Sequence, residues 1–454
     1  MTLIKSISGI RGTIGGQSGE NLTPVDIVEC TAAFGTWLIR KKVPHKVVVG
    51  RDGRLSGSIV SQLSINTLLA MGIDVIDLGL STTPTVEMAV PRHNAGAGII
   101  FTASHNPREW NALKFLNEQG DFISPEDGQT IVELVQSANF DFAPIHQLGK
   151  YSKYDHAIDD HLVEILKSDY ADVASVQHAG IKVVVDCINS TGALSVPPLL
   201  NALNVEYTLI NNDDFGNFAH NPEPLPAHLA MLSEKVKELG ADLGISVDPD
   251  VDRLAFVCED GSMFGEEYTL VAVADYILSR KPGNTVSNLS STRALADITK
   301  RYSGQYSAAA VGEVNVVNEM KRVNAVIGGE GNGGVIVPDL HYGRDALAGI
   351  AIFLSLIAEK RMTATALRAT YPHYEIIKDK ISLTPELNLD EILSRIKVAF
   401  ASEKLNEIDG LKIDFENGWV HMRKSNTEPI VRIYAEAASQ EVAQNLIDKV
   451  KAII

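Results

Sequence analysis

A polar turn after an apolar run places a serine hydroxyl where α/β sheets commonly carry out chemistry. Residues 102–107 (TASHNP) follow residues 97–101 (AGIIF), a run typical of a buried strand. Reactive groups of open α/β sheets gather at the carboxyl ends of the strands. A serine in such a turn often bonds only its own backbone, so a purely structural Ser104 stays open as the alternative.

A run of alternating aspartates, Asp248, Asp250 and Asp252, is the second pattern that could do chemistry. Side chains at every second position of an extended segment point the same way, so the three carboxylates could meet on one divalent cation. An EF-hand calcium loop is disfavoured because Arg253 stands where that loop needs glycine. Mg²⁺ fits better, since it accepts a phosphate oxygen, which Ser104 would carry if phosphorylated. A solvated acidic turn is the structural alternative.

A glycine-rich segment, residues 328–334 (GGEGNGG), follows a further predicted strand. It lacks the Lys-Ser/Thr pair of a P-loop and the glycine spacing of a dinucleotide-binding turn. Its glycines would allow a ligand to approach the backbone, while Glu330 and Asn332 offer acceptors and a donor that suit sugar hydroxyls. A structural turn is the alternative here.

Near the C-terminus, residues 423–429 (RKSNTEP) and a following arginine concentrate guanidinium, hydroxyl, amide and backbone N–H donors. Such a set is typical of a site for a dianion. A solvated hairpin loop would explain the polarity but not the density of donors. The candidate phosphate-binding residues are Arg423, Ser425, Asn426, Thr427 and Arg432.

The composition narrows the class of protein that carries these motifs. The chain has 454 residues, of which 45% are hydrophobic and 21% charged, and its formal net charge is −17 at pH 7. The negative charge argues against nucleic acid or an anionic membrane as a partner. Cys30, Cys187 and Cys258 lie far apart in or beside apolar runs, which predicts buried thiols without a disulfide framework or a zinc site. Because no signal peptide or long apolar span is recognisable, a cytoplasmic enzyme is expected.

Alternating helix and strand patterns must position these motifs. A helix capped by Thr23 and Pro24, and a long apolar helix over residues 345–358, accompany the predicted strands. The stretch IKVVVD at residues 181–186 echoes KVVV at residues 46–49, which suggests a duplicated unit. Further buried strands are predicted at residues 74–78, 97–101, 205–210, 242–247, 285–289 and 325–327.

After about residue 371 the pattern changes to strands and a helix capped by Ser439, which indicates an antiparallel α+β unit. The expected fold class is therefore α/β, with three similar, mixed or mainly parallel α/β domains and a C-terminal α+β domain. The predicted domains are residues 1–150, 151–253, 254–368 and 369–454.

The motifs, read together, resemble the α-D-phosphohexomutases in the same order and over the whole chain. The resemblance rests on residues 8–12 (SGIRG), 102–107 with Asn111 and Lys114, 248–253, 330–334 and 423–429. It implies four domains around a central cleft, of which the first three share one topology. It also implies an isomerase that interconverts hexose 6-phosphate and hexose 1-phosphate.

The resemblance assigns roles to residues of this sequence. Ser104 would be the phosphoserine and, with Asp248, Asp250 and Asp252, would bind Mg²⁺. Glu330 and Asn332 would hold the sugar, and the candidate phosphate-binding residues would grip the phosphate that does not react. A hexose 1,6-bisphosphate would serve as intermediate and primer. The residues that would line the reacting end are Arg11, His105, Lys114 and Arg253.

Two questions stay open at this point. The general base is Lys114, His105 or a metal-linked route. Family members that act on glucosamine phosphates or on mannose and glucose phosphates often carry Ser and His where this chain has Asn332 and Gly334. Chain length and the other motifs favour glucosamine phosphate, with a broad phosphomannomutase/phosphoglucomutase as the alternative. A metal-dependent sugar phosphatase and a non-catalytic sugar-phosphate-binding regulator are more distant alternatives, and a monomer or homodimer is expected.

Overall fold

The computed structural model describes residues 2–6, 9–382, 389–424 and 430–453, which form four sheets with their helices. We name the four units the first to fourth domains in chain order. No helix among the described residues is long and apolar enough to cross a membrane.

The first domain is a seven-stranded mixed sheet in the order β1-β2-β6-β5-β3-β4-β7. Its strands are Ile4–Ser6 (β1), Gly9–Thr13 (β2), Lys46–Arg51 (β3), Asp74–Leu80 (β4), Ala97–Phe101 (β5), Trp110–Leu116 (β6) and Tyr151–Lys153 (β7). Its helices are Pro24–Arg40 (α1), Gly57–Ala70 (α2), Thr83–Arg92 (α3) and Pro125–Ser137 (α4). The predicted start of α1 is confirmed, since Thr23 forms a capping box with Asp26 and Pro24 opens the helix.

The second and third domains each contain a four-stranded sheet. The elements of the second are Ala157–Lys167 (α5), Val173–Ala179 (α6), Lys182–Asp186 (β8), Gly192–Ala202 (α7), Glu206–Ile210 (β9), Ala230–Leu239 (α8), Leu243–Val247 (β10) and Leu254–Cys258 (β11). Those of the third are Glu266–Arg280 (α9), Asn284–Asn288 (β12), Ala294–Arg301 (α10), Tyr306–Ala309 (β13), Glu313–Val323 (α11), Ala325–Glu330 (β14), Gly334–Ile336 (β15), Ala346–Lys360 (α12) and Ala364–Arg368 (α13).

The fourth domain is a five-stranded antiparallel sheet in the order β16-β20-β19-β18-β17. This arrangement confirms the predicted C-terminal α+β unit. Its elements are Glu375–Ser382 (β16), Leu389–Ala399 (α14), Lys404–Asn406 (β17), Leu411–Phe415 (β18), Gly418–Lys424 (β19), Ile430–Ala437 (β20) and Gln440–Lys451 (α15).

One strand order recurs in the first three domains. The orders β6-β5-β3-β4, β11-β10-β8-β9 and β15-β14-β12-β13 all place the first strand of the unit between its third and second, with the fourth strand beside the third. The first three strands are parallel and the fourth is antiparallel in each unit. The echo between residues 46–49 and 181–186 is thus explained, because β3 and β8 are equivalent first strands.

Some apolar cores span two domains, whereas others belong to one domain. One continuous core joins the second and third domains, and Phe256 of β11 stacks on Phe353 of α12 with ring centroids 3.8 Å apart. The main core of the first domain and that of the fourth are separate clusters. The three cysteines are buried free thiols, as predicted.

Candidate active site

The repeated topology brings three candidate loops into equivalent positions. Residues 102–109 connect β5 to β6, residues 248–253 connect β10 to β11, and residues 331–333 connect β14 to β15. Each loop therefore joins the third strand of its unit to the antiparallel fourth. The three loops thus lie at the equivalent ends of three sheets and carry different side chains. We call these ends the first, second and third edges, in chain order.

Ser104 lies at the first edge with its hydroxyl directed at the second. It is 6% exposed and its backbone is left-handed, with φ 49°. Its Oγ donates a hydrogen bond of 2.8 Å to Oδ2 of Asp248, and Nδ1 of His105 lies 3.3 Å from the same hydroxyl. A left-handed non-glycine residue costs free energy that the surrounding structure must offset. The turn is therefore built to aim this hydroxyl rather than to satisfy its own backbone.

Arg54 holds the Ser104 turn in place, and sequence analysis missed it. Its buried guanidinium pairs with Asp52, whose Oδ2 also accepts a 2.7 Å hydrogen bond from Thr102. The guanidinium donates to four backbone carbonyls of the turn, those of Ser104, Asn106, Pro107 and Trp110. A signal was present, because Arg54 follows β3 at the same sheet edge as Ser104.

The three aspartates converge, although the backbone is not the extended segment that we expected. Val251 adopts a left-handed conformation with φ 60°, so residues 248–253 form a turn, and this part of the prediction was wrong. One carboxylate oxygen from each of Asp248, Asp250 and Asp252 lies within 4.8 Å of the others. All three side chains are fully buried. The turn achieves the convergence that alternation along a strand was expected to provide.

The charge of this cluster is only partly balanced. Burial, followed by the repulsion of Asp252 and Asp250, raises the pKa of Asp248 well above its usual range. Oδ1 of Asp250 and Oδ1 of Asp252 are buried and have no hydrogen-bond partner in the part of the chain that the structure describes. Unpaired buried carboxylate oxygens are costly, and hard oxygen donors suit Mg²⁺. The aspartates therefore fit a divalent cation of this kind.

Cationic side chains surround the aspartates on the other sides. Nζ of Lys114 donates to Oδ2 of Asp250 at 3.0 Å. Burial disfavours the ammonium form of Lys114, but attraction to Asp250 and Asp252 outweighs it and raises the pKa. Burial and then the positive charge of Arg253 lower the pKa of His105 well below its usual value. The surroundings thus favour the charged form of Lys114 and the neutral form of His105.

Arg344 is a second residue of the site that sequence analysis missed. Its guanidinium donates to Asp252 and, at 2.7 Å, to Oε2 of Glu330, and its Nε lies 3.2 Å from Oε2 of Glu313. A Cβ at Gly334 would lie 2.3 Å from Cδ of Arg344. The departure from the family pattern at Gly334 is the signal that could have pointed to it, because glycine leaves room for the arginine.

Glu330 and Asn332 occupy the third edge. Glu330 is 4% exposed, and its Oε1 accepts from Asn288 at 2.9 Å and from the backbone N–H of Gly312 at 3.1 Å. Burial opposes its charge, but the attraction of Arg344 prevails and lowers the pKa of Glu330. Asn332 lies in the tight turn and accepts from its own loop at Gly334. Both residues lie on the wall of the central cavity.

The predicted phosphate-binding residues fall partly within the described chain. Arg423 of β19 and Arg432 of β20 are directly paired across the sheet. Both line the central cavity, and Nε of Arg423 is a buried donor without a hydrogen-bond partner among the described residues. Ser425, Asn426 and Thr427, like Ser8 of the first motif, lie outside the described residues.

A cavity of about 830 Å³ has wall residues from all four domains, and His105 and Arg253 bring it next to Ser104 and Asp252, which do not line it themselves. The central cleft implied by the family resemblance is therefore present. Arg11, His105 and Arg253 contribute from the first two domains. Glu223, which pairs with Arg253 at 3.1 Å, was not predicted. Further wall residues that sequence analysis missed are Glu267, Lys378 and Tyr434.

Comparison with known families agrees with this architecture. Four consecutive stretches match phosphoglucomutase/phosphomannomutase α/β/α domains I, II and III and the C-terminal domain of that family. The matched stretches are residues 3–142, 159–261, 265–374 and 383–453.

Relatives of similar length lead to the same family. The chain is 36% identical to a phosphoglucomutase/phosphomannomutase of Thermococcus kodakarensis, over 96% of each chain. It is 33% identical to a probable phosphoglucosamine mutase of Methanopyrus kandleri, over 98% of this chain and 96% of that one. A crystal structure of a phosphoglucomutase/phosphomannomutase family protein from Burkholderia thailandensis superposes with a TM-score of 0.85 at 27% identity, covering 99% and 96% of the two chains. The chain belongs to the phosphoglucomutase/phosphomannomutase family of α-D-phosphohexomutases, which confirms the family read from its motifs.

Proposed function

We propose that this phosphohexomutase transfers a phosphoryl group through Ser104 and that its preferred substrate is glucosamine 6-phosphate, converted to glucosamine 1-phosphate. The observation that carries the assignment of Ser104 is its 2.8 Å hydrogen bond to Asp248, inside a cluster of three buried carboxylates. Phosphoryl transfer depends mainly on positioning and charge neutralisation, and both are supplied there.

Asp248, Asp250 and Asp252 would hold Mg²⁺ together with a phosphate on Ser104. The cation supplies neutralisation of charge on the transferring phosphoryl group. Lys114, already bonded to Asp250, and Arg253 add positive charge on the protein side. The unpartnered oxygens of Asp250 and Asp252 support this assignment.

Proton transfer is assigned to His105. In the first half-reaction the Ser104 O–P bond breaks, a sugar O–P bond forms, and the sugar hydroxyl loses a proton. The imidazole of His105, with Nδ1 3.3 Å from the Ser104 hydroxyl, would take that proton and return it to the serine oxygen. This distance favours His105 over Lys114, whose Nζ is hydrogen-bonded to Asp250. In the second half-reaction the other sugar O–P bond of the reoriented 1,6-bisphosphate breaks, the Ser104 O–P bond forms again, and the serine proton passes through His105 to the sugar oxygen that is released.

The distal phosphate is assigned to the fourth domain. Arg423 and Arg432 lie side by side on the cavity wall, and the loop between their strands contains the predicted Ser425, Asn426 and Thr427. Paired guanidinium groups suit a phosphate dianion. Glu330 and Asn332 would contact the sugar hydroxyls between the two ends.

Glu267 supports an amino sugar. It lines the cavity beneath the glycine turn, since a Cβ at Gly331 would lie 2.0 Å from its Oε2. Burial raises the pKa of Glu267 well above its usual range. Lys378, which partly offsets this rise, lines the same cavity, and a substrate ammonium group would add positive charge beside Glu267, as no hydroxyl can. The probable phosphoglucosamine mutase of Methanopyrus kandleri favours the same substrate, whereas the phosphoglucomutase/phosphomannomutase of Thermococcus kodakarensis favours the broader alternative.

The deciding experiment compares kcat/KM for glucosamine 6-phosphate, mannose 6-phosphate and glucose 6-phosphate, with Mg²⁺ and the matching 1,6-bisphosphate primer. We expect a preference for glucosamine above about tenfold, which is roughly 1.4 kcal/mol of transition-state binding. Equal or better rates on mannose and glucose phosphates would establish the broad enzyme instead. Release of inorganic phosphate without an isomeric product would indicate a phosphatase.

The variant Glu267→Gln tests the amino-sugar contact directly. We expect it to lower kcat/KM for glucosamine 6-phosphate by about tenfold and to leave glucose 6-phosphate within about twofold, because only the ammonium group loses a charged partner. The exposed carboxylate variant Glu238→Gln is the control. An equal loss on both substrates would show that Glu267 has a structural role and would remove this support for an amino sugar.

A further inference from the structure

A second buried cluster of metal-ligating side chains lies outside the proposed active site. Nε2 of His161 is 2.8 Å from Oδ2 of Asp345, and Nε2 of His341 is 3.4 Å from the same oxygen. One ligand atom from each residue lies within 4.8 Å of the others. His161 and Asp345 are each 1% exposed. The phosphohexomutase chemistry proposed above uses none of these three side chains.

The remaining atoms of Asp345 and His161 are already engaged. Oδ1 of Asp345 caps helix α12 by accepting from the backbone N–H groups of Leu347 and Ala348, which leaves Oδ2 for the cluster. Nδ1 of His161 lies 3.0 Å from Oγ1 of Thr85. A histidine that binds a metal usually donates its other ring N–H to such an acceptor.

Glu87 completes the surroundings of His341. It is 2% exposed, and its Oε2 lies 3.3 Å from Nδ1 of His341. Both oxygens of Glu87 and Nδ1 of His341 are buried without a satisfactory hydrogen bond. Only glycine at position 343 permits this approach, because a Cβ there would lie 1.8 Å from Oε2 of Glu87. A buried carboxylate directly behind a histidine is the outer partner expected of a metal-bound imidazole.

We propose that His161, His341 and Asp345 form a binding site for a divalent transition-metal ion of the zinc type, with Thr85 and Glu87 as outer partners of the two histidines. Two imidazoles and one carboxylate are ligands that zinc accepts, with bonds of about 2.0–2.2 Å. Ligand atoms in such a tetrahedral site stand roughly 3.3 Å apart. Of the three separations within the cluster, the two that involve Oδ2 of Asp345, 2.8 and 3.4 Å, are within half an ångström of that value, and the third is below 4.8 Å.

The site would connect three domains. Glu87 lies in α3 of the first domain, His161 in α5 of the second, and His341 and Asp345 precede α12 in the third. A ligand that binds only the folded protein raises its apparent stability. The ion would therefore fasten the three α/β domains together.

The test is a Co²⁺ titration of chelator-treated full-length protein in excess Mg²⁺, which keeps the aspartate cluster saturated. We expect about one Co²⁺ per chain, with the visible absorption of a nitrogen and oxygen site, and a rise in Tm on adding Zn²⁺. Wild-type protein that binds no Co²⁺ under these conditions would overturn the proposal. In that case the cluster is a buried ion pair in which a proton on His341 balances the two carboxylates.

Co²⁺ binding by substituted proteins shows which residues bind the ion. His161→Gln and His341→Gln should each weaken Co²⁺ binding by at least about 100-fold, and Glu87→Gln by about 10- to 100-fold. Exposed His178, on α6, provides the matched control His178→Gln, which should bind normally. Asp250→Asn should also leave this binding unchanged. Loss of Co²⁺ in Asp250→Asn, with retention in both histidine variants, would place the ion at the aspartates and overturn the proposal.

Discussion

The junction between the second and third domains and the junction between the third and fourth are built differently. A single apolar core crosses the first junction, with Phe256 stacked on Phe353. Polar contacts link the third and fourth domains, including hydrogen bonds from Lys412 to the carbonyl of Leu289 at 2.8 Å and between Ser290 and His421 at 2.9 Å. Apolar cores resist relative motion, whereas small polar interfaces between domains permit it.

This difference between the junctions matches a division of roles, in which phosphoryl transfer is proposed for one part of the molecule and binding of the distal phosphate for another. The groups proposed for the reacting end lie on the first two domains, where Thr83 of the first domain bonds Asp250 of the second at 2.7 Å. The candidate distal phosphate site lies on the fourth. Such a division suits a reaction in which the bisphosphate must turn, because one end can release its ligand while the other keeps its geometry. We therefore expect the fourth domain to move relative to the other three.

The largest expected effect is at the reacting end. Ser104→Ala should abolish phosphorylation of the protein, measured by intact mass spectrometry, and should lower kcat by about a thousandfold or more, roughly 4 kcal/mol. The physical reason is the loss of the hydroxyl that is hydrogen-bonded to Asp248 and proposed to carry the phosphoryl group. Ser58→Ala on α2 is the control. Near-normal turnover by the Ser104 variant would refute the assignment.

Substitution of Arg344 tests, through the free energy of unfolding, whether its ion pairs strengthen the packing of the first three domains. Arg344→Met leaves Asp252, Glu313 and Glu330 without their shared counter-charge, and should lower the free energy of unfolding by about 3–5 kcal/mol. Excess Mg²⁺ should restore part of the loss by neutralising Asp252. Urea unfolding with and without Mg²⁺ measures both effects.

The matched control is a surface ion pair. Arg322, 68% exposed, pairs with Glu319, and Arg322→Met should change the free energy of unfolding by about 0–1 kcal/mol. Similar losses in the two variants would mean that the Arg344 network does not strengthen the rigid body.

Substitution of Arg423 tests the proposed binding of the distal phosphate by the fourth domain. Arg423→Ala should raise KM by about 10- to 100-fold and change kcat by less than about threefold, because the distal phosphate is bound equally in the ground state and the transition state. Steady-state kinetics with Lys404→Ala, an exposed residue of the same sheet, as control would separate the two constants. A loss confined to kcat would show that the fourth domain takes part in the chemistry.

Sequence patterns predicted the features that depend on residues close together in the chain. The strand over residues 46–50, the capped helix α1 and the convergence of three aspartates follow from periodicity and spacing, and the structure contains all three. The extended backbone at the aspartates was predicted wrongly, because alternation cannot reveal the left-handed turn at Val251.

The site residues that sequence analysis missed mostly act through contacts with residues that are distant in the chain. Arg54 acts on a turn about 50 residues away, and Arg344 meets Asp252 across 92 positions. No periodicity links such residues, so only the packing of one sheet edge against another reveals them. The cluster of His161, His341 and Asp345 is a stronger case, since its members come from two domains and resemble no motif.

Lys412 gives the smallest predicted effect and tests the polar junction through its pH dependence. Its side chain is 7% exposed, and its ammonium group donates to the carbonyl of Leu289 and lies 4.2 Å from the ring centroid of Trp419. Burial lowers the pKa of Lys412 from 10.5 to about 8, although Asp414 and Glu436 oppose the shift. A neutral amine keeps the hydrogen bond to Leu289 without burying a charge.

The sign of the effect follows from proton uptake. Between pH 8 and about pH 10.5 the unfolded chain keeps the proton on Lys412 and the folded chain releases it, so the free energy of unfolding rises with pH. The contribution is about 1 kcal/mol between pH 8 and about pH 9. Urea unfolding at several pH values should show this rise in wild-type protein and in the exposed control Lys404→Met, but not in Lys412→Met. Equal pH slopes in all three proteins would mean that the junction holds Lys412 charged, and hence that it is wetter than its contacts with Leu289 and Trp419 indicate.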